Sequence, residues 1–265
     1  MKEELIKLIN VSYSLDNEKL SLNKGKTVEI LFNIDFTLYK DEVLGICGES
    51  GGGKSTLAKV ISGIVKPVKG QLKLNPKLVA KGNKPKKIQI LFQNNSNLLN
   101  PFRKAGSIID ESIKLSGSKI ENVVERKEQL LSFLGIESNL ASRRGYELSG
   151  GERQRIALAR LLAVNPEVLI LDEPFSAQDI TSQINLVKVL ERINEELNVT
   201  MICISHDLKI LRKFAHRVIV LQKGRIVETG DASKIFSSPT HPYTKFLLSA
   251  EEFSLTEEAI HNFNS

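Results

Sequence analysis

The sequence has few of the features that mark secreted, metal-binding or membrane-spanning proteins. Its 265 residues include only two cysteines. Cys47 and Cys203 each lie in an apolar run, without a C-x-x-C spacing or a histidine directly beside them, so we expect core thiols. No stretch approaches the roughly 18 consecutive apolar residues of a membrane span, and the first residues lack an apolar signal region. These absences predict a cytosolic protein.

The chain also lacks internal repeats and low-complexity linkers. Hydrophobic residues make up 41% of it, enough to bury a sizeable core. We therefore expect one large domain or two closely joined ones.

The net charge of +6 and the pI near 9.2 suit an anionic ligand or surface, but scattered solvated lysines would give the same values. Eight lysines lie within residues 66–87, and no aromatic residue lies among them. This favours a solvated face over a nucleic-acid-binding stripe. We expect no nucleic-acid partner.

Residues 43–57 join an apolar strand to a helix through a run of glycines. They contain the G-x-x-x-x-G-K-[ST] pattern of a phosphate-binding loop, which must follow a strand. Lys54 is predicted to reach the terminal phosphates of ATP, and the hydroxyl of Ser55 to hold Mg²⁺. The alternative, a glycine-rich turn with an exposed lysine, does not explain the order of strand, glycines, Lys-Ser and helix. The predicted nucleotide-binding residues of this loop are Gly48, Ser50, Gly51, Gly53, Lys54, Ser55 and Thr56.

Two carboxylates follow the apolar strand at residues 168–171, as in a Walker B motif. Asp172 is predicted to bind Mg²⁺, usually through water, and Glu173 to polarise the water that attacks the terminal phosphate. The alternative is a structural pair of acids that caps the next segment. The phosphate-binding loop earlier in the chain favours the catalytic interpretation.

Two further polar residues follow predicted strands. Gln93 comes after the strand at residues 87–92, and His206 after the strand at residues 199–205. Ligand-contacting residues collect at the carboxyl ends of strands in open α/β sheets. On this ground Gln93 is either a sensor or an ordinary loop glutamine, and His206 is favoured as a phosphate contact over a structural histidine.

Residues 106–140 have helical periodicity and predict a helical insert, with one apolar face formed by Ile120, Val123, Val124, Leu131 and Leu134. It leads to Ser149, which is placed to cap a helix that Pro166 closes. The start of that helix could bind an anion or could simply be a capped helix end. Further predicted elements are antiparallel strands at 5–15 and 27–39, a strand at 70–74, helices at 54–63 and 180–197, a hairpin at 217–228 and a short helix after Asp231.

Together these motifs resemble the nucleotide-binding subunit of an ATP-binding cassette transporter, over nearly the whole chain. The most specific element is Leu-Ser-Gly-Gly-Glu-Arg-Gln-Arg at residues 148–155, which matches the family signature. The resemblance implies an α/β fold: a P-loop NTPase core of mixed sheet and helices, an antiparallel β subdomain and an α-helical signature subdomain. The implied single domain has its core at 1–93 and 165–240, its helical subdomain at 94–164 and a C-terminal tail at 241–265.

The resemblance also implies roles for single residues. Gln93 becomes the Q-loop residue and a further Mg²⁺ contact, residues 176–179 the D-loop with Asp179 near the nucleotide, and His206 the switch histidine. Tyr13 lies where the family places an aromatic that stacks on adenine, although it could instead be a strand residue on the sheet surface.

The mechanism implied by the resemblance needs two such subunits. They close head to tail, so that Ser149 and Gly151 of one subunit reach the terminal phosphate of ATP on the other. Hydrolysis promoted by Glu173 then separates the pair. Gln93, at the joint with the helical insert, would relay this change to a membrane partner.

Residues 98–101 and 238–248 resemble the oligopeptide, dipeptide and nickel importer branch of the family. Two departures are Gln178, where the D-loop usually has leucine, and the lack of the cysteine-containing tail common in peptide importers. Because the cysteine-containing tail is missing, nickel or a metal chelate is favoured as the solute over long peptides.

The implied partners are permease subunits, a second ATPase subunit of the same or a different kind and, indirectly, an extracytoplasmic solute-binding protein. The implied location is the cytoplasmic face of the cell membrane, as a peripheral protein. The alternative is a soluble cassette ATPase acting on ribosomes or DNA. Such proteins generally have tandem cassettes or a long coiled coil, which this sequence lacks. A small-molecule kinase would leave the signature unexplained.

Overall fold

The computed structural model of the chain describes residues 2–16, 27–79, 87–93, 99–116, 122–176 and 178–253. Contacts divide the chain into two compact units. The first consists of Met1–Asn75 and Ile202–Ser265, and the second of Pro76–Met201. The finer division into core, helical subdomain and tail stays a prediction.

The strands are β1 (Glu4–Asp16), β2 (Thr27–Tyr39), β3 (Val43–Gly48), β4 (Lys69–Leu74), β5 (Ile88–Leu91), β6 (Val168–Asp172), β7 (Thr200–Ile204), β8 (Arg217–Gln222) and β9 (Arg225–Asp231). The helices are α1 (Lys54–Ile61), α2 (Ala105–Leu115), α3 (Val123–Phe133), α4 (Gly150–Leu162), α5 (Ile180–Leu197), α6 (Leu208–Phe214), α7 (Ala232–Ser237) and α8 (Pro242–Phe253). Short 3-10 helices lie at Pro76–Leu78, Ser138–Ser142 and Gly145–Glu147.

The first unit contains an antiparallel sheet with the strand order β2-β1-β4. Leu8 of β1 lies opposite Phe36 of β2 on one side and Leu72 of β4 on the other. Alternating apolar residues of the long strands are buried, as expected of a sheet with one face on a core. The predicted antiparallel β subdomain is confirmed.

The second sheet of the first unit has the strand order β7-β3-β8-β9, in which β3 and β8 are parallel and β9 is antiparallel to β8. Strand β7 is divided between the units after Met201. Gly45 of β3 lies opposite Val218 of β8. Every residue of β3 is buried, which suits the near-continuous apolar run of a strand covered on both faces. Cys47 and Cys203 are buried thiols in β3 and β7, as predicted.

The predicted hairpin is formed by β8 and β9, which pair antiparallel with Val220 opposite Glu228. Its turn residues Lys223 and Gly224 both have positive φ, 47° and 73°. Such turns match the right-handed twist of the flanking strands and favour glycine.

In the second unit the strand order is β5-β6-β7, and Leu91 of β5 lies opposite Leu171 of β6 in parallel. Helix α2 packs against α3 and α4, so the predicted helical insert is confirmed. None of the helices in the described ranges combines the length and the apolar character of a membrane span.

Two details of the predicted helices are wrong. Val124 on α3 is 58% exposed although Val123 beside it is buried. Successive residues project about 100° apart on a helix, so only one of the pair faces the core. Helix α4 ends at Leu162 and not at Pro166.

The sequence patterns did not predict α6 and α8. Residues 241–265, expected to be a tail, begin with α8, and Glu228 of β9 binds the chain just before it. The carboxylate of Glu228 accepts hydrogen bonds from the backbone N–H groups of Thr240 (2.7 Å) and His241 (3.1 Å). Three predicted segments extend beyond the described residues: the importer-like segment at Leu98, the D-loop at Ala177 and the tail at residues 254–265.

Candidate active site

The phosphate-binding loop joins β3 to α1 in the first unit. Gly48, Gly51 and Gly53 have φ values of 143°, 77° and 96°, which side-chain-bearing residues rarely adopt. A Cβ on Gly48 would lie 1.9 Å from the carbonyl oxygen of Leu221, and one on Gly53 would lie 2.9 Å from the side chain of Leu31. Two of the motif's glycines are therefore required both by backbone conformation and by space.

Lys54 begins helix α1 and is only 8% exposed. Its ammonium group donates hydrogen bonds to the carbonyl oxygens of Gly48 (2.9 Å) and Glu49 (2.8 Å). These bonds hold the positive charge against the loop. A charge fixed in this way is suited to a phosphate group.

The amino end of α1 adds further phosphate-binding capacity. Its N-cap residue Gly53 has no side chain to accept a hydrogen bond, so no capping side chain covers this helix end, and a helix N-terminus attracts anions. Ser50, Gly51 and Ser55 are exposed on the loop, and Thr56 is half-buried.

A feature that sequence reasoning missed is the support given to this loop by the β8–β9 turn. The backbone N–H of Gly224 donates to the carbonyl oxygen of Gly52 (3.1 Å), and that of Lys223 donates to the carboxylate of Glu49 (3.0 Å). More than 170 positions separate these residues, so no local pattern could reveal the contact. The only sequence signal was the Lys-Gly turn itself.

Tyr13 and His206 also belong to the first unit. Tyr13 is half-buried on β1 opposite Leu31, the residue whose side chain lies against Gly53. His206 is exposed just after β7, where the N–H of Ser205 donates to the carbonyl oxygen of Ile46 on β3 (3.1 Å). Tyr13 therefore lies on a strand and His206 just after one, and their contacts with adenine and phosphate stay predictions.

In the second unit, Asp172 is the last residue of β6, Glu173 follows it, and Gln93 comes after β5. Because these strands are parallel and in register at their ends, the three residues lie at the same sheet edge. Asp172 and Glu173 are 3% and 8% exposed, whereas Gln93 is exposed. Glu173 has a positive φ of 52°. Carboxylate and amide oxygens at one edge are hard ligands of the kind that Mg²⁺ accepts.

The signature segment begins α4. Ser149 is its N-cap and forms a capping box, in which the N–H of Glu152 donates to the serine hydroxyl (3.2 Å) and the N–H of Ser149 donates to the carboxylate of Glu152 (2.7 Å). Gly150 and Gly151 are exposed, and a Cβ on either would meet nothing within 4 Å. The capping box therefore fixes the start of α4, and the exposed glycines leave it accessible. A flat or anionic ligand can approach its amides.

Asp179 has a structural role in addition to the predicted one. It caps α5 by accepting hydrogen bonds from the N–H (2.9 Å) and the hydroxyl (2.6 Å) of Ser182. These bonds lower the pKa of Asp179 below its usual value. Its contact with nucleotide stays a prediction.

The chemistry of these donors fits Mg²⁺ bound together with a nucleotide. Mg²⁺ is usually held by one or two protein oxygens and by substrate phosphates, not by an all-protein cage. The described residues contain no group of three or more His, Cys, Asp or Glu side chains that could hold a metal. The hydroxyl of Ser55 in the first unit and the carboxylate of Asp172 in the second are each an oxygen of the kind that Mg²⁺ accepts.

Comparison with known proteins links these motifs to one family. The family profile described as "ABC transporter" matches residues 31–176. The dipeptide transport ATP-binding protein DppF of Haemophilus influenzae is 39% identical over 86% of this chain and 72% of its own length. The oligopeptide transport ATP-binding protein OppF of the same organism is 35% identical over 94% of this chain and 78% of its own.

Solved structures agree with these relatives. A dimeric post-hydrolysis structure of the ATP-binding cassette MJ0796 with ADP and Pi is 26% identical, with a TM-score of 0.73 over 86% of this chain and 99% of that one. The cbiO1 structure from Clostridium perfringens, part of the cbiONQ transporter complex, has the same fold, with a TM-score of 0.76, 24% identity and full coverage of both chains. This chain belongs to the ABC transporter family, as an ATP-binding and ATP-hydrolysing subunit.

Proposed function

We propose that this protein hydrolyses ATP at the cytoplasmic face of a membrane to drive the import of dipeptides or oligopeptides. The observation that carries the proposal is the open signature end of α4, capped by Ser149, in a chain that also contains the phosphate-binding loop. A helix end that its own neighbours leave uncovered at Gly150 and Gly151 is suited to a nucleotide held by a second subunit. The MJ0796 cassette, a 26% identical relative in fold and sequence, is dimeric with ADP and Pi.

In the proposed reaction, Lys54 and the amides of the phosphate-binding loop bind the β- and γ-phosphates of ATP, and Tyr13 stacks on its adenine. Ser55, Asp172 and Gln93 would hold Mg²⁺, which when bound would supply positive charge that offsets the charge of the phosphate oxygens. Glu173 accepts a proton from the attacking water, and His206 donates a hydrogen bond to the γ-phosphate.

The second half of the site comes from another ATPase subunit, identical or not. Ser149 and Gly151 of one subunit bind the γ-phosphate held by the other, and Asp179 lies close to it. Binding of ATP then favours the closed pair, and hydrolysis releases it, because the shared phosphate is lost.

A cavity of about 470 Å³ in the second unit is the surface best suited to a permease subunit. Its lining includes the apolar side chains of Ile108, Leu115 and Leu161, beside the ion pair of Arg103 and Glu111. Leu115 is 75% exposed at this cavity, which is unusual for a leucine unless a partner covers it. We propose that a loop or short helix of the permease inserts apolar side chains here.

The solute is proposed from the names of the relatives. The relatives described above are named for dipeptide and oligopeptide transport, which favours peptides over the nickel or metal chelate expected from the sequence. The extracytoplasmic solute-binding protein would act through the permease and not through this chain. Nickel import remains the second candidate.

The test is to isolate tagged Glu173→Gln protein from its own cells with ATP and mild detergent, and to identify the associated proteins by mass spectrometry. Permease subunits and a second cassette ATPase are expected. Lys54→Ala protein, which should not bind ATP tightly, is the matched control for nucleotide-dependent association. Ribosomal or DNA-bound proteins in place of permeases would overturn the transport assignment.

The proposed permease surface is tested in the same preparation. Leu115→Asp should remove the permease subunits from the isolated complex, because it places a carboxylate where an apolar contact is proposed. Val124→Asp, an exposed site on α3 outside the cavity lining, is the control. Equal recovery of permease with both variants would exclude this cavity as the docking site.

A further inference from the structure

The turn after β6, residues 173–176, holds Glu173 in a backbone conformation that it would not keep alone. Its φ of 52° lies in the left-handed region. For a side-chain-bearing residue, this conformation costs about 1–3 kcal/mol and persists only where the surroundings enforce it. The surroundings of this turn therefore determine how the carboxylate of Glu173 is presented.

Three successive carbonyl groups of the turn accept hydrogen bonds from polar side chains. That of Glu173 is bound by the hydroxyl of Ser176 at 3.0 Å. The other bonds are from Gln154 to the carbonyl of Pro174 at 2.7 Å, from Gln178 to the same carbonyl at 3.1 Å, and from Gln183 to the carbonyl of Phe175 at 3.2 Å.

Gln178 and Gln154 are also joined to each other. The amide nitrogen of Gln178 donates to the amide oxygen of Gln154. Gln154 lies on α4, five positions after Ser149, and is only 3% exposed. A buried amide needs partners for both its oxygen and its nitrogen, and Gln178 supplies the donor for the oxygen. With its oxygen bound in this way, the amide of Gln154 presents its nitrogen to Pro174.

We propose that Gln178 is a positioning residue for ATP hydrolysis. With Gln154 it holds the carbonyl of Pro174, and through it the backbone of Glu173, so that the orientation of the base is tied to the helix whose first turn carries the signature. The inference rests on the proposed function, because it takes Glu173 as the group that polarises water. Leucine at position 178 has no hydrogen-bond donor and cannot do this.

The primary test is Gln178→Met, which keeps the length of an unbranched side chain and removes the amide. In the full chain, within the complex in which it is isolated, kcat should fall about tenfold, the size expected for loss of a hydrogen bond that positions a reacting group. KM for ATP should stay within about twofold, because the phosphate-binding loop is unaltered. Gln129→Met, which removes an exposed amide bonded to Glu125 on α3, is the control and should leave both values unchanged.

A double-mutant cycle separates positioning from general stabilisation. Gln154→Met should lower kcat as well, and the double variant should be no slower than the slower single variant, since both amides act on one carbonyl. Additive effects, or a parallel loss of ATP affinity and thermal stability in Gln178→Met, would show a merely structural role and overturn the inference.

Comparison with Glu173→Gln distinguishes failure of this inference from failure of the proposed function. Slow turnover in Glu173→Gln together with wild-type kcat in Gln178→Met would overturn the inference and leave the proposed function standing. Wild-type turnover in Glu173→Gln would overturn the assignment of the base, and with it the inference.

Discussion

The phosphate-binding loop and the turn after β6 carry the two halves of the proposed chemistry, and they are held in different ways. The loop is held by its own backbone and by the backbone of the β8–β9 turn, with Lys54 bonded to Gly48 and Glu49. The turn is held by the side-chain amides of Gln154, Gln178 and Gln183. The loop's backbone contacts depend on glycine and on space, with Lys54 and Glu49 adding charged side-chain contacts. The turn depends instead on particular neutral side-chain donors.

This difference predicts different failures. A substitution in the loop should act through steric conflict and affect the fold and nucleotide binding together. A substitution around the turn should act through a lost hydrogen bond and affect turnover more than binding. The predictions below test this contrast, from the largest expected effect to the smallest.

Gly48→Ala should be the most damaging change. Its Cβ would lie 1.9 Å from the carbonyl oxygen of Leu221, at a φ of 143°, so β3 and β8 would have to separate. The free energy of unfolding should fall by about 3 kcal/mol or more, as expected for overpacking at a strained position. Thermal unfolding of the full chain measures this.

Gly51→Ala is the matched control for that variant. Gly51 also has positive φ, 77°, but a Cβ there would meet nothing within 4 Å. Gly51→Ala should lower the free energy of unfolding by about 1 kcal/mol, because it adds backbone strain and no steric conflict. Equal decreases in the free energy of unfolding for Gly48→Ala and Gly51→Ala would show that close packing against Leu221 does not constrain the loop.

Glu173→Gln should bind ATP with unchanged affinity and hydrolyse it at least about 100-fold more slowly, because it removes the general base and keeps the shape of the side chain. Single-turnover hydrolysis and equilibrium nucleotide binding measure the two quantities. Glu167→Gln, which breaks a partly exposed ion pair with Lys87, is the control and should hydrolyse normally. Normal turnover in Glu173→Gln would remove this residue from the catalytic role.

Gln183→Met should have a smaller effect on turnover. It removes the bond to the carbonyl of Phe175, one residue further from Glu173 than the carbonyl held by Gln154 and Gln178. We expect kcat to fall about two- to threefold, less than for Gln178→Met, with KM unchanged. A larger effect for Gln183 than for Gln178 would place the main support of the turn on α5.

The smallest effect should be a pH-dependent one, in a third region. Burial alone would raise the pKa of Glu228, but the hydroxyl of Thr244, together with hydrogen bonds from Thr240 and His241, outweighs it and lowers the pKa to about 2. Because the folded-state pKa lies below the usual 4.5, this stabilisation is complete above about pH 4.5 and is lost as the pH falls towards 2.

Glu228→Gln should therefore lower stability near neutral pH by less than about 1 kcal/mol, since the group is largely solvated. The difference from the wild-type protein should shrink at acid pH in thermal unfolding experiments. A difference independent of pH would show that Glu228 stabilises the start of α8 by shape and not by charge. The neutral amide contacts at the turn after β6 should show no such dependence.

Much of this protein could be read from contiguous motifs. The predicted strands at 5–15 and 27–39, the helix at 180–197 and the hairpin at 217–228 agree with the structure because their periodicity and turn residues are local signals. Helix α8 was missed because a short amphipathic segment rich in Pro and Tyr at its start resembles a loop. The exposed Val124 shows that the spacing of apolar residues does not decide which of two adjacent ones faces the core.

The sequence alone determined the chemistry of the site: a glycine loop with Lys54 and Ser55, two carboxylates after a strand, and a capped helix at Ser149. Each is a contiguous motif whose residue types and order follow from phosphate and Mg²⁺ chemistry. Only the tertiary structure decided what holds these groups in place: the β8–β9 turn against the loop, and the amides of Gln154 and Gln178 on Pro174. The contact of Gly224 with Gly52 spans 172 positions and that of Gln154 with Pro174 spans 20, so both arise from the packing of the elements and not from a local pattern. Gln178 is only four positions from Pro174, but its bond to Gln154 depends on the packing of α4 against the turn.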